Sequence, residues 1–188
     1  MNTVLFQNDK RWGSMLLGNG PSTIGKGGCL LTCLTMAARE LGTHPGVIPP
    51  HVNQRLVAAG AFDGDLLRVH DAAEALGLVA PLFERVSLDD DQKPAEREDL
   101  AAALSLAMKA GLAILHVDHD SAKARGDAQG DHFVLAVKLE KGDVLCLDPA
   151  CGRVVLGYPE LDGLAVWKPG DIRTYRVRAV RPIRRGAV

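Results

Sequence analysis

"GDHFVLAVKLEKGDVLCLDPACG", residues 130–152, holds two short runs rich in Val and Leu, DHFVLAVKL and DVLCLDP, with KLEKGD turning the chain between them. Runs of this kind bounded by Gly and Asp read as strands, and a short connection makes them antiparallel neighbours. A residue near the start of one such strand can then lie beside one near the end of the next. His132, a polar ring opening an otherwise apolar strand, would meet Asp148. The runs LAILHVDH, RVVLGY and TYRVRAVRP have the same character, so the chain after Gly111 reads as a largely antiparallel sheet.

Upstream of Gly111 the periodicity is helical. In KGGCLLTCLTMAARELG (26–42) the apolar residues from Leu30 to Leu41 recur at helical spacing and Gly42 supplies a stop, which puts Cys29 in the first turn of a mostly buried helix. PPHVNQRLVAAG (49–60) and LLRVHDAAEALG (66–77) each carry an apolar face closed by glycine. AEREDLAAALSLAMKAG (95–111) places its acids early and Lys109 late, as the helix dipole favours. Helices over about 1–110 followed by strands over about 111–182 predict an α+β fold of two lobes, with a cleft that draws residues from both.

A chain of 188 residues with 47% hydrophobic content is long enough for one well-buried core and short for two, which predicts a single domain over 1–188. A net charge of -1 argues against recruiting nucleic acid or a membrane surface through global charge. MNTVLFQNDK has neither a basic start nor an apolar stretch, and no run of eighteen apolar residues follows. The expected location is cytoplasmic, with phage encoding or non-classical release as alternatives. Four cysteines are too few for a disulfide scaffold.

Cys29 and Cys33, one helical turn apart, are open to four readings: a metal pair, a redox pair, a nucleophile with a bystander, or core residues. A zinc site shared with Cys146 and Cys151 fits poorly, since the spacings lack the tight knuckle of zinc ribbons. A nucleophile has specific support. A helix N-terminus lowers the pKa of a thiol, and Gly27 and Gly28 leave room for a substrate backbone. Such a thiolate needs a base, and the base an orienting acceptor. His132 and Asp148 supply the types, Pro149 biases Asp148 toward an extended backbone, and Gln7 in VLFQNDKRW is a candidate amide donor for an oxyanion.

These stretches, FQNDKRWGSMLLGNGPSTIGKGGCLLTCLTMAARELG, then AMKAGLAILHVDHD and GDHFVLAVKLEKGDVLCLDPACGRVV, resemble the papain-like cysteine peptidases of the double-glycine-leader, bacteriocin-processing type, particularly their stand-alone relatives. The resemblance runs from about Phe6 to Tyr158. It rests on the Gln, the Gly-Cys at a helix start, the His-aromatic-Val strand and the Asp-Pro-x-x-Gly turn, in that order. It implies a papain-like fold, a helical lobe packed on an antiparallel β lobe. Cys29 would then be the nucleophile, His132 the general base and later acid, Asp148 the orienting acceptor and Gln7 the oxyanion donor. Hydrolysis would pass through a thioacyl-enzyme, with no metal and no organic cofactor. Leu30 and Asp131 stand where members often have Gly, and the interval from Gln7 to Cys29 is longer than in papain-like enzymes.

The implied partner is a peptide or protein substrate, with hydrolysis of peptidoglycan cross-bridges as runner-up. A catalytically silent peptide-binding module and acyl transfer to an amine are further alternatives, and oligomeric state is left open. Alanine- and arginine-rich usage is associated with a high-GC bacterial or phage source. The remaining features read structurally. Cys33 and Cys146 pack, Cys151 is an exposed thiol or pairs with Cys146 under oxidation, and Trp12 caps the core. HVDHD (116–120) is a polar strand end before a loop more than a metal site. The charged stretch 87–99 is a solvated connection. The tail, with Arg173, Arg176, Arg178, Arg181, Arg184 and Arg185, is a surface strand with a solvated end more than an anion-binding patch.

Overall fold

A computed structural model describes residues 3–81, 86–87, 94–121 and 130–186. The first half carries α1 (Ile24–Gly27), α2 (Cys29–Glu40), α3 (Pro49–Ala58), β1 (Phe62–Asp63), β2 (Leu66–Leu67), α4 (Val69–Ala75), β3 (Leu78–Val79), β4 (Val86–Ser87) and α5 (Pro94–Ala110). The second half carries β5 (Leu112–Ser121), β6 (Gly130–Glu140), β7 (Asp143–Asp148), β8 (Gly152–Gly157), β9 (Asp162–Lys168) and β10 (Asp171–Arg185). The fold is therefore α+β, with a helical N-terminal part and an antiparallel sheet in the C-terminal part. Pro49 and Pro50 open α3, where a missing N–H costs nothing, and Gly42 follows α2 with a φ of 71°. The helix expected over 66–77 starts later, at Val69. Gly64, with a φ of 62°, reverses the chain so that Leu66 and Leu67 pair with Asp63 and Phe62 as a small hairpin.

The main sheet runs β3-β10-β5-β6-β7-β8, with β4 and β9 also paired to β10. Every ladder between the described strands is antiparallel. Besides β3 and β4, which come from the half expected to be helical, two features differ from the sequence reading. The tail is no surface strand: β10 lies between β5 on one side and β9, β4 and β3 on the other, burying Tyr175, Val177, Val180 and Ile183. Its arginines occupy other positions, where Arg178 pairs with Asp118 and Arg173 with Asp171. The second is β9, which the sequence reading lacks. It also runs close to β8, since a methyl group at Gly163 would stand 2.6 Å from the Val155 carbonyl oxygen. Of the charged stretch 87–99, residues 88–93 lie outside the described residues, while 94–99 form the start of α5 and not a connection before it; the loop over 122–129 also lies outside them.

The sheet is apolar on both faces, and each face builds a core. Ile114, Leu135 and Leu147 cluster with Leu31, Leu34 and Ala38 of α2, while the alternate positions Leu115, Val134, Ala136 and Cys146 cluster with Leu104 of α5 and with Tyr175 and Val177 of β10. Burial on both sides explains why β5 and β6 read as near-continuous apolar runs. Cys33, completely buried, donates to the Phe133 carbonyl oxygen at 3.3 Å and so ties α2 to β6. Trp12 is buried as expected, its indole N–H donating to the Phe6 carbonyl at 2.8 Å.

The interval between Gln7 and Cys29 folds back on itself. Leu16 bridges Thr23, Ile24 N–H donates to Met15 O at 2.9 Å, and Gly25 N–H donates to Gly13 O at 2.9 Å. A methyl group at Gly25 would stand 2.7 Å from that same Gly13 oxygen. Gly25→Ala is therefore expected to destabilise the chain by about 1–3 kcal/mol through overpacking against backbone. Thermal unfolding should show it as a fall in Tm of roughly 2–12 °C at this chain length.

Candidate active site

Cys29 occupies the first helical position of α2, behind Gly28 as N-cap. Gly28 is forced by close approach, because a side chain there would collide with the Ile24 carbonyl oxygen as α1 turns into α2. The Thr32 N–H and hydroxyl both donate to Gly28 O, at 2.9 and 2.8 Å, which fixes the first turn. Cys29 is partly exposed while Cys33, one turn on, is sealed in the core. The two thiols therefore have different surroundings, and burial pushes the Cys33 thiol well above its ordinary pKa, with Cys29 and Asp148 adding to the effect.

The hairpin places His132 and Asp148 as its register dictates. Leu135 faces Leu147 across β6 and β7, which sets Asp148 opposite Val134, and His132 is its diagonal neighbour on the same face. His132 Nε2 lies 2.8 Å from Asp148 Oδ1, with His132 only 3% exposed and Asp148 fully buried. The Cys29 thiol also acts on the ring, favouring its charged form. With Nε2 committed to Asp148, Nδ1 is the nitrogen left for the sulfur. Burial alone would lower the His132 pKa. The bond to Asp148, the Cys29 thiol and the charges of both outweigh it and raise the value to about 9.

Asp148 is held by more than histidine. Its Oδ1 accepts the Ala150 N–H at 2.6 Å and the Cys151 N–H at 3.4 Å, and its Oδ2 accepts the Tyr175 hydroxyl at 2.5 Å and the Cys151 thiol at 3.2 Å. Burial pushes this carboxyl up, but the His132 bond and charge, then Tyr175 and the Ala150 N–H, hold it below the usual value. Tyr175 in turn accepts the Trp167 indole N–H at 2.7 Å, and the Trp167 ring is tilted against the His132 ring at 5.3 Å. Sequence reasoning missed the roles of Tyr175 and Trp167. The signal available was weak: inward parity on β10 for Tyr175, and an aromatic at the end of an unrecognised strand for Trp167.

Gln7 joins the two halves of this arrangement. Its backbone N–H donates to Pro149 O at 2.9 Å and its side-chain Nε2 donates to Gly25 O at 3.0 Å, four residues before Cys29. The Nε2 group retains a second hydrogen, and the buried Oε1 has no hydrogen-bond partner. The folded-back interval described above is what brings Gln7 to the Cys29 loop despite the long sequence separation.

The other candidate residues take up separate positions. Cys151 packs its thiol on Asp148 and Cys146 points into the core, and all four cysteines are free thiols. His116 stacks on Phe133 with ring centroids 5.0 Å apart, and Asp118 pairs with Arg178. Among the described residues no group of three His, Cys, Asp or Glu side chains is placed to hold a metal ion. No helix among them is long and apolar enough to cross a membrane. The side chain of Asp131 lies outside the described residues. No protein-family model matches the chain, and no curated protein is similar to it in sequence.

Proposed function

We propose that the chain is a papain-like cysteine peptidase that hydrolyses a peptide amide through a thioacyl-enzyme. The observation that carries this reading is the His132 ring held between a buried carboxylate and a thiol at a helix start. In the proposed reaction the Cys29 thiolate attacks the carbonyl carbon while His132 holds the proton as imidazolium. The free hydrogen of Gln7 Nε2 stabilises the oxyanion. The C–N bond breaks as His132 passes its proton to the leaving amine, which leaves a thioester on Cys29. Water then loses a proton to His132 and its oxygen attacks the thioester, and the acid departs as His132 returns the proton to sulfur. Asp148 keeps the ring oriented and its positive charge partnered throughout.

Two tests follow. Iodoacetamide alkylation of Cys29 against pH, with the modified site located by mass spectrometry, should be fast well below the ordinary thiol pKa of about 8.5. It should lose that reactivity in His132→Ala; an inert Cys29, or one no faster than Cys151, overturns the proposal. Turnover should then fall as pH rises through about 9, because His132 loses the proton it must deliver, while alkylation, which needs only thiolate, does not fall. Assays on peptides and on peptidoglycan, with and without an added amine, identify the substrate and separate hydrolysis from acyl transfer. Gln7→Ala is expected to lower kcat about 10²–10³-fold with KM nearly unchanged, as for loss of one oxyanion donor.

A further inference from the structure

We infer that Tyr175 is a positioning residue for the proposed reaction, and that with Trp167 behind it Tyr175 fixes Asp148 as the charged acceptor of His132 and sets how far into acid the Cys29–His132 pair survives. The inference rests on the proposed chemistry of that pair. Its basis is a directed chain of donors, Trp167 Nε1 to Tyr175 OH at 2.7 Å and Tyr175 OH to Asp148 Oδ2 at 2.5 Å. The Trp167 donation commits the Tyr175 oxygen as an acceptor, so the tyrosine hydrogen points at the carboxylate. Arg173 lies over the Trp167 ring at 3.5 Å from its centroid and pairs with Asp171, which keeps the indole in place.

The surroundings of Asp148 give this donor its weight. His132 faces the carboxylate from β6, Tyr175 from β10, and Ala150 N–H and Cys151 from the turn that follows. Cys146 on its own strand and Cys33 of α2 sense its charge, and both thiols are pushed up, first by burial. Burial likewise raises the Cys151 thiol, so it stays a protonated and weak donor. On Oδ2 the strong donor is therefore Tyr175, whose own pKa is raised by burial and by Asp148, so that its proton is retained. Without that hydroxyl the buried Oδ2 keeps one thiol partner, and protonation of Asp148 becomes easier than in the intact site. A neutral Asp148 no longer balances the imidazolium.

The test is the rate of Cys29 alkylation by iodoacetamide against pH in the full chain, for wild type, Tyr175→Phe, Trp167→Phe and the double variant, with Tm recorded for each. Tyr175→Phe should move the acid limb of the profile upward by about one pH unit. Trp167→Phe should move it in the same direction by less, and the double variant should match Tyr175→Phe alone, because Trp167 acts through the tyrosine. A purely structural role would lower Tm and leave the limb in place. A limb unmoved by Tyr175→Phe, or a double variant equal to the sum of the singles, overturns the inference and leaves the peptidase reading intact. A wild-type profile that ignores His132→Ala overturns that reading and the inference with it. Should Tyr175→Phe not fold, Trp167→Phe alone decides: an upward shift supports the inference, and an unmoved limb overturns it.

Discussion

Cys29→Ser is expected to cut amide turnover by about 10⁴-fold or more while the fold persists, the size of loss seen when a nucleophile acting with its base is removed. The serine hydroxyl does not ionise at neutral pH, so the thiolate nucleophile that the proposal requires is lost. Cys29 is partly exposed and contributes little to either core, so Tm should stay within roughly 2 °C, a change of no more than about 0.5–1 kcal/mol at this chain length. Combining Cys29→Ser with His132→Ala should cost no more than either change alone, because the two act as a unit. The check is kcat and KM on one peptide substrate for the three variants. Turnover above about one hundredth of wild type in Cys29→Ser sinks the assignment of Cys29 as nucleophile.

The second large effect is expected from Asp148→Asn. The amide keeps the shape of the side chain and removes the charge that supports imidazolium. Burial, the largest influence on His132, then acts without its main opponent, and the pKa falls from about 9 toward the ordinary 6.5 or below. Turnover near pH 8 should drop about 10²–10⁴-fold, and its alkaline limb should move down. The sign of the stability effect is equally defined. A histidine whose pKa is raised by folding contributes stability that is fully present below 6.5 and is lost as pH rises through about 9. Asp148→Asn removes that contribution, so its Tm deficit should be largest below pH 6.5 and shrink toward pH 9. A pH-independent deficit and an unmoved alkaline limb would show that Asp148 does not charge the histidine.

Local pattern made part of this molecule readable. Cys29 at a helix start follows from a glycine pair and a run of helical periodicity, and the His132–Asp148 approach follows from one hairpin. Both are short-range, and the α+β order of helices before strands follows from the same patterns. What local pattern hides is long-range pairing. In β9 the large apolar residues Leu164 and Val166 face outward, 66% and 58% exposed, while the buried position is Ala165, so the strand shows the inverse of the usual signature. The arginines of β10 read as a solvated end. Their strand is central because Tyr175, Val177, Val180 and Ile183 are buried in the cores, and the choice of β5 as its partner is not written in its own sequence. Tyr175 and Trp167 could be linked to Asp148 only once the Tyr175 hydroxyl of β10 was known to reach the carboxylate at the end of β7, with Trp167 of β9 behind it. The register of one turn likewise hid the Leu66–Leu67 strand inside an apparent helix.

The position of β10 also fixes the order in which the protein can come to life. β10 fills the middle of the sheet although it follows β5 by a long stretch of chain, its ladder partners running from Arg173 with Ser121 to Ile183 with Leu112. Until β10 arrives, β5 presents an unpaired edge and Asp148 lacks the tyrosine beside it. A growing chain therefore carries its thiol, imidazole and carboxylate on the ribosome in an unfinished setting. In the proposed peptidase, competence therefore waits on the pairing of β10 with β5, which brings the Tyr175 hydroxyl to Asp148.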